Sequence, residues 1–193
     1  MDESNLGLPF LLAPNKPHSS LTLRDYFHAL EQFLLEEGGM RLAAAFRLRH
    51  SGASVRDIKE IRIRSEKHGT FYHIASIEIK VHDRTLTFAT STAVTDRGKR
   101  CLHRELDVIK LLNRLRGYGY LPGIAAAAEI PFGDSTAAVM MSEWFEDHHE
   151  WHLHEDEPGG IQRILLWDKR KGDRYLSRTE AAEVYRRCAN ILT

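Results

Sequence analysis

The residues predict an α+β fold: an antiparallel sheet of about five strands with one helix packed on it, plus an N-terminal helix and a C-terminal helix. Three observations carry this. Apolar and polar residues alternate in three runs between Ile58 and Thr92, the period of half-buried strands. From Lys99 to Arg116 the apolar residues recur at three and four positions instead, which is the helical period. Two further short runs, Ile124 to Pro131 and Thr136 to Met141, flank a Gly133-Asp134 turn and read as a hairpin.

In chain order, residues 1 to 20 hold Pro9, Pro14 and Pro17 and read as an extended arm. A first helix starts after Ser20 or Thr22, with Leu23, Tyr26, Phe27, Leu30, Phe33 and Leu34 along one face. Gly38-Gly39 stops it, because paired glycines supply the positive φ values that a helix end uses. Met40, Leu42, Ala44, Phe46 and Leu48 then alternate with arginines and alanines, which reads as a strand.

The central stretch begins at Ile58. Ile61 and Ile63 alternate with Glu60, Arg62 and Arg64, and a turn at Glu66-Lys67-His68-Gly69 follows. The next strand places Phe71, His73, Ala75, Ile77, Ile79 and Val81 on one face, with Tyr72, Ile74, Ser76, Glu78 and Lys80 on the other. After His82-Asp83-Arg84 a third strand runs to Thr92, with Leu86, Phe88 and Thr90 on one face. Short turns make these three an antiparallel meander. In the helix after Thr95-Asp96-Arg97-Gly98, the stripe Leu102, Leu106, Ile109, Leu112 and Leu115 is expected to lie on the sheet. Beyond residue 160, Ile161 to Trp167 reads as a strand, and Ser177 with Glu180 as the capping box of a last helix. The predicted organisation is a helical extension at 1–57, a sheet domain at 58–147, and a connector at 148–193 that starts a second lobe.

Composition narrows the function. Lys plus Arg and Asp plus Glu both number 27, so no net field recruits nucleic acid. The apolar run Leu6 to Ala13 follows Asp2 and Glu3 and contains Pro9, unlike a signal peptide. No run approaches the roughly 18 apolar residues of a membrane span. The expectation is therefore a cytoplasmic chain that binds neither nucleic acid nor membrane. Cys101 and Cys188 lie far apart within predicted helices and read as buried reduced thiols.

The helix string His103-Arg104-Glu105-Leu106-Asp107-Val108-Ile109-Lys110-Leu111-Leu112 and the run Val139-Met140-Met141-Ser142-Glu143-Trp144-Phe145 carry a resemblance. Together with the order meander, helix, hairpin, they resemble the amino-terminal lobe of the protein-kinase-like and aminoglycoside-phosphotransferase-like superfamily, over roughly residues 58 to 147. The resemblance implies that Gly69 lies on the turn above nucleotide phosphates, Glu105 on the lobe helix, and Ser142, Glu143 and Trp144 near the adenine-holding hinge.

It also implies a lysine on the third strand, and Leu86-Thr87-Phe88-Ala89-Thr90-Ser91-Thr92 contains none. Lys80, in Ile77-Glu78-Ile79-Lys80, falls one strand too early. Without that lysine, Glu105 reads as a helix-surface carboxylate or as the partner of an arginine. No H-R-D-like or D-F-G-like string follows the hinge, so ATP with Mg²⁺ would be used only with a second lobe. The expected role is a non-catalytic lobe that regulates or binds, its partner another protein or its own carboxy-terminal lobe. The alternatives are the nucleotide roof of a small-molecule or lipopolysaccharide-type phosphotransferase, and a free-standing α+β binding protein.

One further cluster is rich in ligand atoms. His148, His149, His152 and His154 stand among six carboxylates, and on a helix His148 and His152 would share a face suited to zinc or nickel. H-E-x-x-H would require a histidine at position 153, where Leu153 stands.

Overall fold

A strand that alternates apolar and polar residues has one face to bury, and a meander of three such strands needs a large cover. In the computed structural model, which describes residues 9–12, 16–68, 71–116, 121–145, 151–155, 162–166 and 172–192, that cover comes from the N-terminal helix. The chain divides into two compact units, Met1–Trp144 and Phe145–Thr193.

The first unit opens with β1 (Pro9–Leu12) and β2 (Lys16–Thr22), an antiparallel pair, so the expected arm folds back as a hairpin. Helix α1 (Leu23–Leu48) starts on a capping box. The Asp25 amide donates to the Thr22 hydroxyl and the Thr22 amide donates back to the Asp25 carboxylate. The Thr22 hydroxyl and amide, both donating to the Asp25 carboxylate, hold it below its usual range.

The helix breaks at Glu36–Gly39, where Glu37, Gly38 and Gly39 take φ values of 54°, 66° and 79°. This is the stop that the glycine pair predicts. The chain then returns to helix, so the expected strand over Met40 to His50 is overturned. Leu42, Ala45 and Phe46 are buried while Met40 is 60% exposed, a three-and-four spacing that buries more than alternation could here. Across the break, the Arg41 guanidinium donates to the Phe33 carbonyl at 2.6 Å and to Glu36 at 2.8 Å.

A 3₁₀ turn, Val55–Asp57, leads into β3 (Ile58–His68), β4 (His73–Val81) and β5 (Arg84–Ala93). Helix α2 (Asp96–Arg116) follows, then β6 (Ile124–Phe132) and β7 (Ser135–Glu143). The five strands lie in the order β3-β4-β5-β7-β6, antiparallel throughout. One face carries Ile77, Ile79, Phe88, Val139 and Met141, all buried against Tyr26, Leu30, Phe33 and Phe46 of α1. The other face is covered only in part, by α2 over β5 and β7, through Ala93, Leu102, Ile109, Ala138 and Met140. Strand β7 therefore has helices on both sides, and Ala137 through Ser142 are all buried.

The stripe expected on α2 is only partly inward. Leu102 and Ile109 are buried, but Leu115 is 67% exposed. At 3.6 residues per turn, the six residues from Ile109 to Leu115 rotate the side chain by about 240°, away from the sheet.

Several polar groups in the main core are paired. The Tyr26 hydroxyl lies 3.2 Å from Thr92 Oγ1, Thr90 donates to the Ala75 carbonyl, and His73 Nε2 meets Ser65 Oγ at 2.9 Å. Burial pushes the Tyr26 phenol well above its ordinary range.

The second unit holds β8 (Trp151–Glu155), β9 (Gln162–Leu166) and β10 (Arg174–Tyr175) in the order β10-β9-β8, and then α3 (Arg178–Leu192). Strand β9 matches the run expected there. The capping box also forms: the Glu180 amide donates to Ser177 Oγ, and the Ser177 amide donates to the Glu180 carboxylate. Arg174 adds two charge-assisted bonds at 2.9 and 3.2 Å, and with the Ser177 donors it holds Glu180 down at about 2.

If α1 is the cover on which the sheet depends, Leu30→Ala lowers unfolding stability by about 2–5 kcal/mol in a urea titration. Leu115→Ala changes it by less than about 0.5 kcal/mol. Equal effects at the two positions would contradict this assignment of faces.

Candidate functional site

Helix α2 meets the sheet where β4 begins. Thr95 caps its start, accepting from the Gly98 amide at 3.1 Å with its hydroxyl and from the Lys99 amide at 2.8 Å with its carbonyl. Gly98 lies so close to Phe71 that a Cβ there would stand 2.6 Å from the Phe71 carbonyl oxygen; only glycine allows this approach. Arg97 reaches over the Phe71 ring, 5.1 Å from its centroid.

Two turns further along, the Glu105 carboxylate stands near the Tyr72 hydroxyl. Desolvation first, and then the Glu105 carboxylate, raise the Tyr72 phenol well above its ordinary range. Glu105 is half-buried, and the Tyr72 phenol is its neighbour among the described residues.

Register shows what else faces α2. Residues directly opposite in antiparallel strands share a face, and Ala93 pairs with Ala138, Ser91 with Met140 and Ala89 with Ser142. Ile74 pairs with Ser91. This stretch of the sheet therefore presents Ile74, Ala89, Ser91, Met140 and Ser142 to the α2 side, and none of them is cationic. Thr90 points the other way and is fully buried in the α1 core.

Lys80 stands at the far end of β4, eight residues from Tyr72, about 27 Å of strand at ~3.4 Å per residue. It is exposed beside Glu60, Arg62, Glu78 and Thr85, around a shallow hollow of about 100 Å³. Arg62 pairs there with Glu60 at 2.7 Å and Arg64 with Glu78 at 3.3 Å.

The other residues singled out by sequence separate from one another. Gly69 lies outside the described residues. Ser142 is buried on the α2 side of β7. Glu143 pairs with Phe88 and so points to the α1 side. There its carboxylate accepts from the Gly123 amide at 2.8 Å and meets Arg49 at 3.5 Å, which ties the end of α1 to both strands of the second hairpin. Trp144 is half-buried just beyond β7.

His148 lies outside the described residues, and His152 sits in strand β8, paired with Leu165. The helical spacing on which the His148 and His152 reading depends is therefore not present at His152. In this strand His154 meets the Tyr175 hydroxyl at 3.0 Å through Nδ1. Among the described residues no three His, Cys, Asp or Glu side chains converge, and no helix is long and apolar enough to cross a membrane.

Tyr72 is the residue that sequence reasoning missed. Its signal is legible in retrospect: Tyr72 and Ile74 are apolar on a face that continues with Ser76, Glu78 and Lys80. That switch marks where α2 covers the strand.

No family model, curated protein or solved structure matches the chain. The fold and site define an α+β module whose five-stranded sheet lies between two helices, with a helix carboxylate beside a tyrosine.

The raised phenol gives a direct check. The Tyr72 contribution to stability is complete below its ordinary value of 10.0 and is lost as the pH rises beyond it, because the unfolded state releases its proton first. In an alkaline titration of tyrosinate absorbance, Tyr72→Phe removes amplitude from the late-titrating phase. Loss from the early phase would contradict the desolvation of Tyr72 beside α2.

Proposed function

We propose that residues 58–144 form an amino-terminal lobe of the protein-kinase-like and aminoglycoside-phosphotransferase-like kind that has lost its phosphate contact and acts by binding. The order of elements supports the scaffold: a meander, a long helix and a hairpin, in one antiparallel sheet. The observation that carries the loss of function is at Glu105. In the family this helix carboxylate serves a third-strand lysine that holds the phosphates. Here the helix-facing positions of the third strand are Ala89 and Ser91, and the carboxylate has the Tyr72 phenol beside it.

A phenol and two small side chains supply neither charge for a triphosphate nor a base or metal ligand for phosphoryl transfer. Glu143, at the hinge-like end of β7, is committed to Arg49 and Gly123.

What the lobe retains is a surface that asks to be covered. Val108, Leu111 and Leu115 on α2 are 46%, 51% and 67% exposed, a helix stripe that suits a partner protein or a second lobe.

Thermal unfolding with and without Mg-ATP tests the reading. A ligand at 100 times its dissociation constant adds about 2.7 kcal/mol to stability. The expected result is an unchanged Tm at millimolar nucleotide. A saturable rise would overturn the loss of the phosphate contact and favour a nucleotide roof.

A further inference from the structure

The five-stranded sheet ends in β6, which pairs with β7 on one side only. Among the described residues no second strand pairs with its other edge, although α1 packs against the strand, and an edge of this kind can take up another strand through its backbone N–H and C=O groups. Edges of this kind are commonly blunted by bulges and prolines. Strand β6 has both, a register shift between Ile124 and Ala126 and a proline at Pro131. Between these two devices the run 126–130 is regular and contains neither.

Its two faces differ. Ile130 is buried towards α1, whereas Ala127 and Glu129 are exposed on the α2 side. A cavity of about 120 Å³ opens there between helix and strand, floored by Ala127, Ala138 and Met140 and walled by Leu102 and Leu106. At about 30 Å³ per water it holds about four waters, or the aliphatic part of one side chain.

Charge sets what could lie across it. His103, Lys110 and Arg114 recur on the cavity-side flank of α2 at helical spacing, with Asp107 as the acid among them. The strand carboxylate is already engaged: Glu129 accepts from Thr136 at 3.1 Å and has Lys99 at 4.0 Å and His103 at 3.9 Å. Beyond the cavity the flank offers Lys110 to an incoming anion, beside Arg114, whose Nε donates to the Lys110 carbonyl at 3.3 Å.

We infer that the β6 edge and the α2 groove form a docking site for an extended acidic peptide segment of a partner protein. The segment adds as a strand along 126–130, drops one aliphatic side chain into the cavity, and sets an acidic side chain two positions away against Lys110, on the side of the cavity away from Glu129. Its pattern is an acid two positions from an aliphatic residue, because alternate residues of a strand share a face. This site does not rest on the kinase-like reading. His103 and Glu105 are two residues apart, about 200° of helix turn, so the groove lies on the flank of α2 away from Tyr72.

Fluorescence anisotropy with fluorescein-labelled Ser-Glu-Ser-Val-Ser-Glu-Ser tests the assignment on the full chain. Saturable binding is expected, and a probe with lysine in place of both glutamates binds at least about tenfold more weakly, the scale of one 1.4 kcal/mol contact. A probe with proline at both serines flanking valine loses binding, because proline cannot donate to the edge. Ala127→Phe, at an exposed position, fills the cavity and abolishes binding, and Lys110→Glu weakens it about tenfold. Lys80→Gln, at the exposed far end of β4, leaves it unchanged.

Absence of saturable binding, or binding that survives Ala127→Phe, would overturn the site. Concentration-dependent dimerisation of the free chain that Ala127→Phe abolishes would also overturn it, by giving the edge to a second copy.

Discussion

The rest of the structure depends on the burial of the apolar sheet face against α1. Tyr26, Leu30, Phe33 and Leu34 on one half of the helix, and Leu42, Ala45 and Phe46 on the other, are at most 2% exposed. Fully burying one large apolar side chain contributes about 1.5–3 kcal/mol, so this interface outweighs any single polar contact in the chain. The break at Glu36–Gly39 serves it. Two short helices joined at left-handed residues can both lie on a twisted sheet, with Arg41 linking them through the Phe33 carbonyl.

This arrangement decides where function can reside. With α1 filling one face, the chemistry left to the sheet is on the α2 side, and that side is small, neutral and partly covered. At its covered end Tyr72 and Glu105 close on each other, and Gly98 and Arg97 fasten the start of α2 to Phe71. At its open end the charges of β3 and β4 neutralise one another in exposed pairs, which contribute little to stability. Between the two ends no described side chain is equipped to hold a phosphate. On the third strand the helix-facing residues Ala89 and Ser91 carry no charge, and the proposed loss of a phosphate contact rests on that.

Much of this was legible in the residues because strands and amphipathic helices announce their own period. The face of β4 from His73 to Val81 and the capping box at Ser177 and Glu180 could be read directly. Met40 to Leu48 could not, since alternate apolar residues separated by alanines satisfy both periods, and only the sheet beneath selects the helix. The cover of the sheet was also hidden. A local pattern shows that Ile77 and Phe88 need burial, but not whether α1 or α2 provides it. For the same reason the carboxylate of Glu105 could be noticed while its partner could not: a tyrosine thirty-three positions earlier reaches it only because of the way α2 crosses β5 and β7. Glu143 shows the converse, a residue placed correctly at the end of β7 whose side chain the register turns to the opposite face.

The central claim, that α1 is part of the sheet's core and not an appendage to it, is tested most directly by native-state hydrogen exchange. Amides within α1 and those of the β4–β5 ladder are expected to exchange together, through the same opening and with the same denaturant dependence, as one cooperative unit. Exchange of the α1 amides through a separate opening of lower free energy, with β4 and β5 still protected, would contradict it.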